Sequence, residues 1–408
     1  DELERGLDKR AAGAEEELRL ERIRTRMSHQ VRPTGQWPLF EIRVSRRGGG
    51  RTRLHISLDL LIADAWSILL LLREWEQLYR NPEAGLGRLE LSFRDYVEAE
   101  AKLEGSALRN ESAQYWQRRL ETLPGAPELP LAKSPAAIEQ PRFVRRSGRL
   151  EPQRWAVLKK QGQQAGVTPS MLLCTAFGEV LGSWSKTQRF TINVTMFNRL
   201  PLHEQVNQIV GDFTTVNLLE VERRAGSFQK QAERLQQQLW EDLEHRYWSG
   251  LQVMRELNRR KGGGAMAAMP IVFTSALAQT PGAGESVVGW MGRLVYGISQ
   301  TPQVWLDHQI YEDGGALIYN WDAVEELFAE GVLDAMFQAY GELLERLMSE
   351  AGWQAESRTL APAVQLSERA AVNATEMELS SRRLEELFDQ QVSEAADEDA
   401  VIAGELHL

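Results

Sequence analysis

The chain has 408 residues, 43% of them hydrophobic, which is enough for one large or two medium-sized cores. Its formal net charge of −11, without an evident basic face, argues against a nucleic-acid partner. The single cysteine, Cys174, excludes an intramolecular disulfide, and the six histidines lack metal-ligand spacing, so we expect no metal site. Because no apolar run reaches membrane-spanning length and the first residues are charged, we predict a cytoplasmic protein without a membrane partner.

The first part of the chain is predicted to form a helix, a β-hairpin and three further helices. Leu20, Ile23 and Met27 recur at helical spacing. Two strand-like stretches flank a glycine-rich turn, which is typical of a hairpin. The predicted strands are residues 37–45 and 52–58, and the helices that follow are residues 65–79, 92–103 and 111–123.

A proline-rich segment, residues 123–141, is predicted to be an extended connector between two lobes, because proline disfavours helices and central strands. Beyond it, Thr168 is a helix N-cap followed by Pro169 at the first helical position, and Asp313-Gly314 is a hairpin turn. The predicted strands are residues 143–150, 189–195, 212–221, 270–275, 289–299, 303–311 and 316–321. The predicted helices are residues 169–184, 228–245, 249–260, 323–349 and 379–391; residues 354–372 are linker-like and residues 400–408 begin a strand.

Two carboxylates, Asp59 and Asp64, lie between a predicted strand and a predicted apolar helix. A carboxylate in such surroundings is costly to desolvate unless it is paired. From the residue types alone, one aspartate caps the helix and the other holds an arginine.

Six segments, taken together and in this order, resemble the heterocyclization domains of nonribosomal peptide synthetases, which are relatives of condensation domains. The resemblance covers about residues 23–349. Its segments are DLLIADAWS from Asp59, LPGAPELPLAKSP from Leu123, FTINVTMFNRLPLHEQVNQIVGDFTT from Phe190, QLWEDLEHRYWSGLQVMREL from Gln238, PIVFTSAL from Pro270 and SQTPQVWLDHQ from Ser299.

The first of these segments separates the heterocyclizing branch from ordinary condensation domains. Ordinary domains carry His-His-x-x-x-Asp-Gly there, whereas this chain has the seven residues from Asp59 to Ala65. Leu60 stands where the second histidine would be, and a leucine side chain cannot move a proton. The resemblance therefore implies that catalysis is carried by residues elsewhere in the chain.

The resemblance implies an α/β fold of two lobes, of the chloramphenicol-acetyltransferase-like type, with a central tunnel. We expect residues 1–135 to form a partial N-terminal lobe and residues 136–353 the C-terminal lobe, followed by a linker at 354–380. Residues 381–408 resemble the start of an adenylation domain. Because the family's earlier N-terminal motifs are absent, we expect a fragment of a larger synthetase, with an incomplete first lobe.

The implied reaction joins an upstream acyl thioester to the amine of a cysteinyl, seryl or threonyl thioester. The side chain of that residue then attacks the new amide, and loss of water leaves a thiazoline or an oxazoline. No cofactor is bound directly, because donor and acceptor carrier domains supply phosphopantetheine-linked substrates, and an adenylation domain adjoins. The product class implied is a secondary metabolite such as a siderophore or an antibiotic.

Two side chains match the family's catalytic positions. Asp307 matches the cyclodehydration aspartate, and a carboxyl group held near neutral pKa by burial suits that proton transfer. From residue type alone, Asp307 could instead pair with His308 or a backbone amide. Thr274 matches the catalytic threonine, but it could equally be a β-branched strand residue with a locally satisfied hydroxyl.

The remaining candidates are assigned to structure or to the lining of the tunnel. Asp64 resembles the aspartate that holds an arginine in this superfamily, and Arg199 is its expected partner; Asp59 is expected to order the same loop. Further tunnel candidates, which could also be purely structural, are Asn198, Ser275, Ser299 and Gln300.

Two other functions stay open at this stage. One is an amide-forming condensation domain without cyclization, which a histidine at position 60 would favour. The other is a non-catalytic module that docks carrier domains; the Thr274/Asp307 pair argues against it, and the missing N-terminal motifs argue for it.

Overall fold

The computed structural model describes residues 2–260, 269–277, 286, 288–356, 359–376, 382–399, 402–403 and 406–407. The chain divides into two compact units, Asp1–Leu360 and Ala361–Leu408.

The first unit begins with helices and one small sheet. The strands β1 and β2 pair antiparallel, with Ile42 opposite Ile56, in a two-stranded sheet. Helices α2, α3 and α4 each have an N-cap residue whose side chain accepts a hydrogen bond from a backbone N–H of the first turn. These N–H groups have no carbonyl partner within the helix, so the cap satisfies one of them. These elements are α1 (Glu2–Ser28), β1 (Phe40–Arg46), β2 (Thr52–Leu58), α2 (Ala65–Arg80), α3 (Phe93–Ala101) and α4 (Ala107–Arg119).

The rest of the first unit is built on a six-stranded mixed sheet with the order β3-β8-β7-β6-β4-β5. Strand β6 runs parallel to both β4 and β7, and the other neighbours are antiparallel. The elements are β3 (Phe143–Leu150), α5 (Pro152–Gln164), α6 (Pro169–Trp184), β4 (Arg189–Phe197), β5 (Thr214–Glu222), α7 (Phe228–Glu244), α8 (Gly250–Arg260), β6 (Ile271–Ser275), β7 (Leu306–Asp313), β8 (Ala316–Val324), α9 (Val332–Arg346) and α10 (Glu350–Gln354).

The local signals in this part of the sequence correctly predict the start of α6 and, to within one residue, the turn between β7 and β8. Thr168 accepts a hydrogen bond from the Met171 N–H at the start of α6. Between β7 and β8, Gly314 and Gly315 have φ values of 58° and 77°. A two-residue hairpin turn with positive φ at both positions favours glycine, which lacks the Cβ that would clash.

One face of the six-stranded sheet is apolar and packs on helices. Phe273 of β6, His308 of β7 and Trp321 of β8 point to this face, where Phe177 of α6 contacts all three rings. Tyr340 of α9 lies against the His308 ring at a centroid distance of 4.6 Å. Because side chains alternate along a strand, the residues between them point to the opposite face, which carries the polar groups described below.

Three predictions about secondary structure are wrong. The helix expected at residues 323–349 begins only at Val332, because Ala323 and Val324 still pair in β8. Residues 289–299 were expected to form a strand, but residues 288–291 form a turn and residues 292–300 have no regular structure. The Ser299 N–H donates to the carboxylate of Asp322 instead of to a neighbouring strand, so the segment is not part of the ladder. The linker-like segment contains a helix, α11 (Ala363–Asn373).

The second unit contains α11, α12 (Leu384–Glu394), β9 (Ile402–Ala403) and β10 (Leu406–His407), with β9 and β10 antiparallel. Across the described residues of the whole chain, no single helix is both long and apolar enough to cross a membrane. Only α5 and α6 taken together pass that test of length and composition, and the two are bent by 95°.

Candidate active site

Thr274 and Asp307 meet on the polar face of the six-stranded sheet. They lie on the neighbouring parallel strands β6 and β7, with Val272 in register with Asp307. The Thr274 hydroxyl donates a hydrogen bond of 3.2 Å from Oγ1 to Oδ1 of Asp307. The two residues are 33 positions apart in the chain, so the sheet, not local sequence, creates the pair.

The carboxyl group of Asp307 is almost entirely buried, with 7% of the residue exposed. Burial raises its pKa to about 6, and the negative charge of Asp322 acts in the same direction. Hydrogen bonds from Gln309 and Thr274 and the charge of Arg145 oppose this rise. A group with such a pKa can accept and release a proton near neutral pH, as general acid–base catalysis requires.

The alternative in which Asp307 pairs with His308 is wrong. The two side chains alternate on β7, so they point to opposite faces of the sheet. The His308 ring is fully buried among aromatic side chains, and burial lowers its pKa to about 3. It is therefore neutral at physiological pH and belongs to the core.

A second hydroxyl continues the line of hydrogen bonds. Oγ1 of Thr195, on β4, lies 2.9 Å from Oγ1 of Thr274. When Thr274 donates its only hydroxyl proton to the ionised Asp307, Thr195 is the donor in this contact. The three side chains form a directional chain from Thr195 to Thr274 to Asp307.

A buried ion pair lies next to Asp307. Asp322 of β8 is directly opposite Asp307 in the antiparallel ladder, and Arg145 of β3 is opposite Asp322. Arg145 binds the Asp322 carboxylate with both ends of its guanidinium, at 2.7 Å from Nε to Oδ1 and 2.5 Å from Nη2 to Oδ2. Gln309 completes the cluster by donating from Nε2 to Oδ2 of Asp307 at 2.6 Å.

Asp64 and Arg199 form a second buried ion pair, away from this cluster in the sequence. Nη2 of Arg199 lies 3.1 Å from Oδ1 of Asp64, and their side chains are 4% and 0% exposed. The same Oδ1 accepts a hydrogen bond of 2.7 Å from the Ser67 N–H and caps α2. One aspartate therefore both caps the helix and holds the arginine, and the prediction that divided these roles between two aspartates is wrong.

Asp59 has a local role. Its Oδ1 accepts a hydrogen bond of 3.0 Å from the Leu61 N–H, and its backbone N–H donates to the carbonyl of Leu39. It orders the turn that leads from β2 to α2. Leu60 lies in this turn with 43% of its surface exposed.

Of the four further tunnel candidates, only part lies near the Asp307–Asp322 cluster. Ser299 is close, because its N–H donates to Asp322 at 2.8 Å, and Gln300 follows it, half-buried. Asn198 follows β4, and its carbonyl accepts a hydrogen bond from the Tyr96 hydroxyl. Ser275 alternates with Thr274 and so faces the helical side, where its Oγ lies 2.7 Å from Oγ of Ser170 in α6.

Three residues of the cluster, Gln309, Asp322 and Arg145, were missed by the sequence analysis. A signal was available for two of them. Asp307 and Gln309 alternate with the apolar or buried residues of β7, and Asn320 and Asp322 do so in β8. Polar residues at every second position of two otherwise buried strands indicate a polar face. Among the described residues, no group of three or more metal-ligating side chains is placed to hold a metal ion.

A family model described as Condensation domain matches residues 6–367. The chain belongs to the condensation domain family. The fold class predicted from the resemblance is confirmed by solved structures of this family. The monoclinic crystal form of the EpoB NRPS cyclization-docking bidomain from Sorangium cellulosum is similar with a TM-score of 0.77 and 39% identity, over 84% of this chain and 69% of that chain.

Curated relatives within the family are synthetases. Pyochelin synthetase PchF from Pseudomonas aeruginosa (strain UCBPP-PA14) is 39% identical over 346 residues, which cover 84% of this chain and 18% of that protein. Phenyloxazoline synthase MbtB from Mycobacterium tuberculosis (strain ATCC 25618 / H37Rv) is 37% identical over 389 residues, 94% of this chain and 27% of that protein. The chain thus spans less than a third of either relative's length.

Proposed function

We propose that this condensation-family domain catalyses heterocyclization: it forms an amide between two carrier-bound substrates and then cyclodehydrates it to a thiazoline or an oxazoline. The observation that carries the proposal is the buried Thr274–Asp307 pair, with a carboxyl group whose pKa is about 6. Similarity to a cyclization-docking bidomain and to a phenyloxazoline synthase supports it.

The first reaction is amide formation. The amine of the acceptor residue attacks the donor thioester carbonyl, the new C–N bond forms, and the C–S bond to the donor carrier breaks. The departing thiolate takes up the proton that the amine loses. This step needs the two substrates to be held together, which lowers the entropic barrier.

The second reaction closes the ring and expels water. The acceptor's side-chain thiol or hydroxyl loses its proton and attacks the amide carbonyl carbon, whose oxygen becomes a hydroxyl group. That C–OH bond then breaks as the oxygen receives a second proton, the ring nitrogen loses its proton, and a C=N bond forms. The two protons released by the nucleophile and by the nitrogen balance the two that leave with the oxygen as water. We assign to Asp307 the removal of the first proton and the protonation of the departing hydroxyl, with Thr274 orienting the carboxyl or relaying the proton.

The proposed reaction requires partner domains. Donor and acceptor carrier domains would bring the substrates on phosphopantetheine arms to a tunnel between residues 1–135 and 136–353, the two proposed lobes. Residues 354–380 would connect them to an adjoining adenylation domain, to which residues 381–408 would belong. The Asp64–Arg199 pair, which has one partner in each proposed lobe, would shape the tunnel.

The experiment uses the complete synthetase module that contains this domain, loaded in separate reactions with cysteine, serine or threonine. Mass spectrometry of the carrier-bound species distinguishes the open amide from the ring, which is lighter by one water. Asp307→Ala should stop ring formation and leave amide formation largely intact, because only the later reaction needs its proton. The matched control is Asp313→Ala, at the exposed end of the same strand, which should keep both.

A parental rate of ring formation by Asp307→Ala would refute the assignment. If neither the parent nor the variant ever forms a ring while both form the amide, the domain is an amide-forming condensation domain. Formation of neither product by the parent would favour a non-catalytic docking module.

Thr274→Ala should slow ring formation less than Asp307→Ala, because a water molecule can take the place of a relay hydroxyl. Thr274→Ser keeps the hydroxyl and should stay near the parental rate. The same mass-spectrometric assay measures both variants. Equal, complete loss in Thr274→Ala and Thr274→Ser would show that the methyl group, rather than the hydroxyl, is what the site needs.

A further inference from the structure

The buried ion pair beside Asp307 is connected to the Asp307 carboxyl group, which a purely structural ion pair would not require. Asp322 lies directly opposite Asp307, and its carboxylate is bound at both oxygens by Arg145. Asp322 is fully buried and the Arg145 side chain is 17% exposed. The negative charge of Asp322 and the positive charge of Arg145 therefore lie in a largely buried environment, close to the Asp307 carboxyl group that is proposed to exchange protons.

Gln309 connects the ion pair to Asp307. Its Oε1 accepts a hydrogen bond of 3.0 Å from Nη2 of Arg145, which fixes the orientation of the amide. Its Nε2 must then point toward the carboxylates, at 2.6 Å from Oδ2 of Asp307 and 3.3 Å from Oδ2 of Asp322. The guanidinium therefore orients the amide, and the amide orients the reactive carboxyl group.

We propose that Arg145, Gln309 and Asp322 are positioning residues for Asp307: they hold its carboxyl group against Thr274 and control its protonation during ring formation. The proposal rests on the proposed heterocyclization function. It assigns no direct substrate contact to the three residues, because each acts through Asp307.

The two charges should act on Asp307 in opposite directions. The carboxylate of Asp322 disfavours a second negative charge and raises the pKa of Asp307, whereas Arg145 lowers it. Tyr311 lies on the same face of β7, but burial raises the pKa of its hydroxyl, so it stays neutral near pH 7. The side chain of Thr274 on β6 carries no charge. Shifts of the pH profile can therefore be traced to the ion pair.

The test is the pH profile of ring formation, measured in single turnovers of the complete module after the open amide has accumulated on its carrier domain. Asp322→Asn should move the midpoint to lower pH by about one unit, and Arg145→Gln should move it to higher pH by a similar amount. The double variant, in which no charge is left unpaired, should lie between the two. The amide-forming step should keep its parental pH profile in all three variants.

Gln309→Met provides a test that does not disturb the ion pair. It keeps the approximate size of the side chain but removes the donor to Asp307. We expect roughly a tenfold loss in the rate of ring formation, since hydrogen bonds to charged groups are among the strong ones, with amide formation unchanged. Should the single charge variants fail to fold, this variant and the double variant carry the test.

An unchanged midpoint in the folded charge variants, or a parallel loss of amide and ring formation in Gln309→Met, would overturn the positioning role and leave a structural one. Asp307→Ala is measured beside them. If ring formation survives that substitution, the proposed function of Asp307 fails first; if it is lost while the other profiles stay parental, only the positioning role fails.

Discussion

Asp307 and Asp322 lie opposite each other on neighbouring antiparallel strands, yet they are bound by different kinds of group. Asp322 is paired with the guanidinium of Arg145, whereas Asp307 accepts hydrogen bonds from the uncharged side chains of Thr274 and Gln309. The negative charge of Asp322 disfavours ionisation of Asp307, and the positive charge of Arg145 opposes that effect. Burial is the main cause of the raised pKa of about 6 at Asp307, and the charge of Asp322 adds to it.

This difference predicts a pH-dependent contribution of Asp307 to stability. Its pKa of about 6 in the folded chain exceeds the value of about 3.9 for an exposed aspartate. Its contribution is therefore fully present below about pH 4 and is lost as the pH rises through about 6, a change of about 3 kcal/mol. Asp307→Asn cannot ionise, so its free energy of unfolding relative to the parent should rise across that window and then level off.

The measurement is urea denaturation of the parent and of Asp307→Asn at a series of pH values. The difference between the two curves isolates this group, because all other titrating groups are common to both proteins. If the difference in the free energy of unfolding between Asp307→Asn and the parent stays constant from about pH 4 to about pH 7, Asp307 has an ordinary pKa.

The Asp64–Arg199 pair predicts a large loss of stability when either partner is removed. Both side chains are almost fully buried. The Arg199 guanidinium also lies over the Phe213 ring, with 3.8 Å between its Cζ and the ring centroid. Asp64→Asn or Arg199→Leu leaves one charge buried without its partner, which should cost about 3–5 kcal/mol in the free energy of unfolding. Amide and ring formation should then decline together, because structure rather than chemistry is lost.

Ser106→Ala is the matched control for the capping function of Asp64. Oγ of Ser106 caps α4 by accepting a hydrogen bond from the Arg109 N–H, and the substitution should cost only about 1 kcal/mol. Chemical denaturation measures all three variants. Because asparagine can also cap a helix, Asp64→Asn removes the charge and not the cap. A loss in Asp64→Asn no larger than that in Ser106→Ala would mean that the pairing of Asp64 with Arg199 adds little.

Gly250, the first residue of α8, is predicted to tolerate no side chain. A Cβ added there would lie 2.0 Å from the backbone carbonyl oxygen of Val216 on β5, so the helix would have to move away from the strand. We expect Gly250→Ala to destabilise the chain by about 1–3 kcal/mol. Gly13→Ala is the control. A Cβ added at Gly13, in α1, would meet no heavy atom of the described residues within 4 Å beyond the adjoining turns of its own helix, and alanine should stabilise that helix by up to about 1 kcal/mol. Thermal or chemical denaturation compares them, and stabilisation by Gly250→Ala would contradict the close approach of α8 to β5.

The sequence by itself determined the features that depend on neighbours in the chain. The N-cap Thr168, the proline after it and the turn at Gly314 act within a few residues, through backbone groups that any fold must satisfy. The order of the family's motifs is also a property of the sequence alone. For that reason the family, the fold class and the Thr274 and Asp307 candidates could all be named before the structure was considered.

Alternation along a strand also determines which residues can face the same site. Thr274 and Ser275 are adjacent on β6, so their side chains must lie on opposite faces, and both cannot face the same site. The same rule places Asp307 and His308 on opposite faces. It excludes their pairing without any coordinates.

Only the tertiary structure decided which polar residues meet. Arg145 and Asp322 are 177 positions apart, and they pair because β8 lies between β3 and β7 in the sheet. A period of two tells which face a side chain occupies, but it does not tell which strands are neighbours or in what register. The joint role of Asp64 as cap and ion-pair partner likewise depends on Arg199, 135 positions away. Such contacts depend on the complete fold. Packing of the sheet and its helices buries the charged groups, and a buried charge is costly unless it is paired, whatever its neighbours in the sequence are.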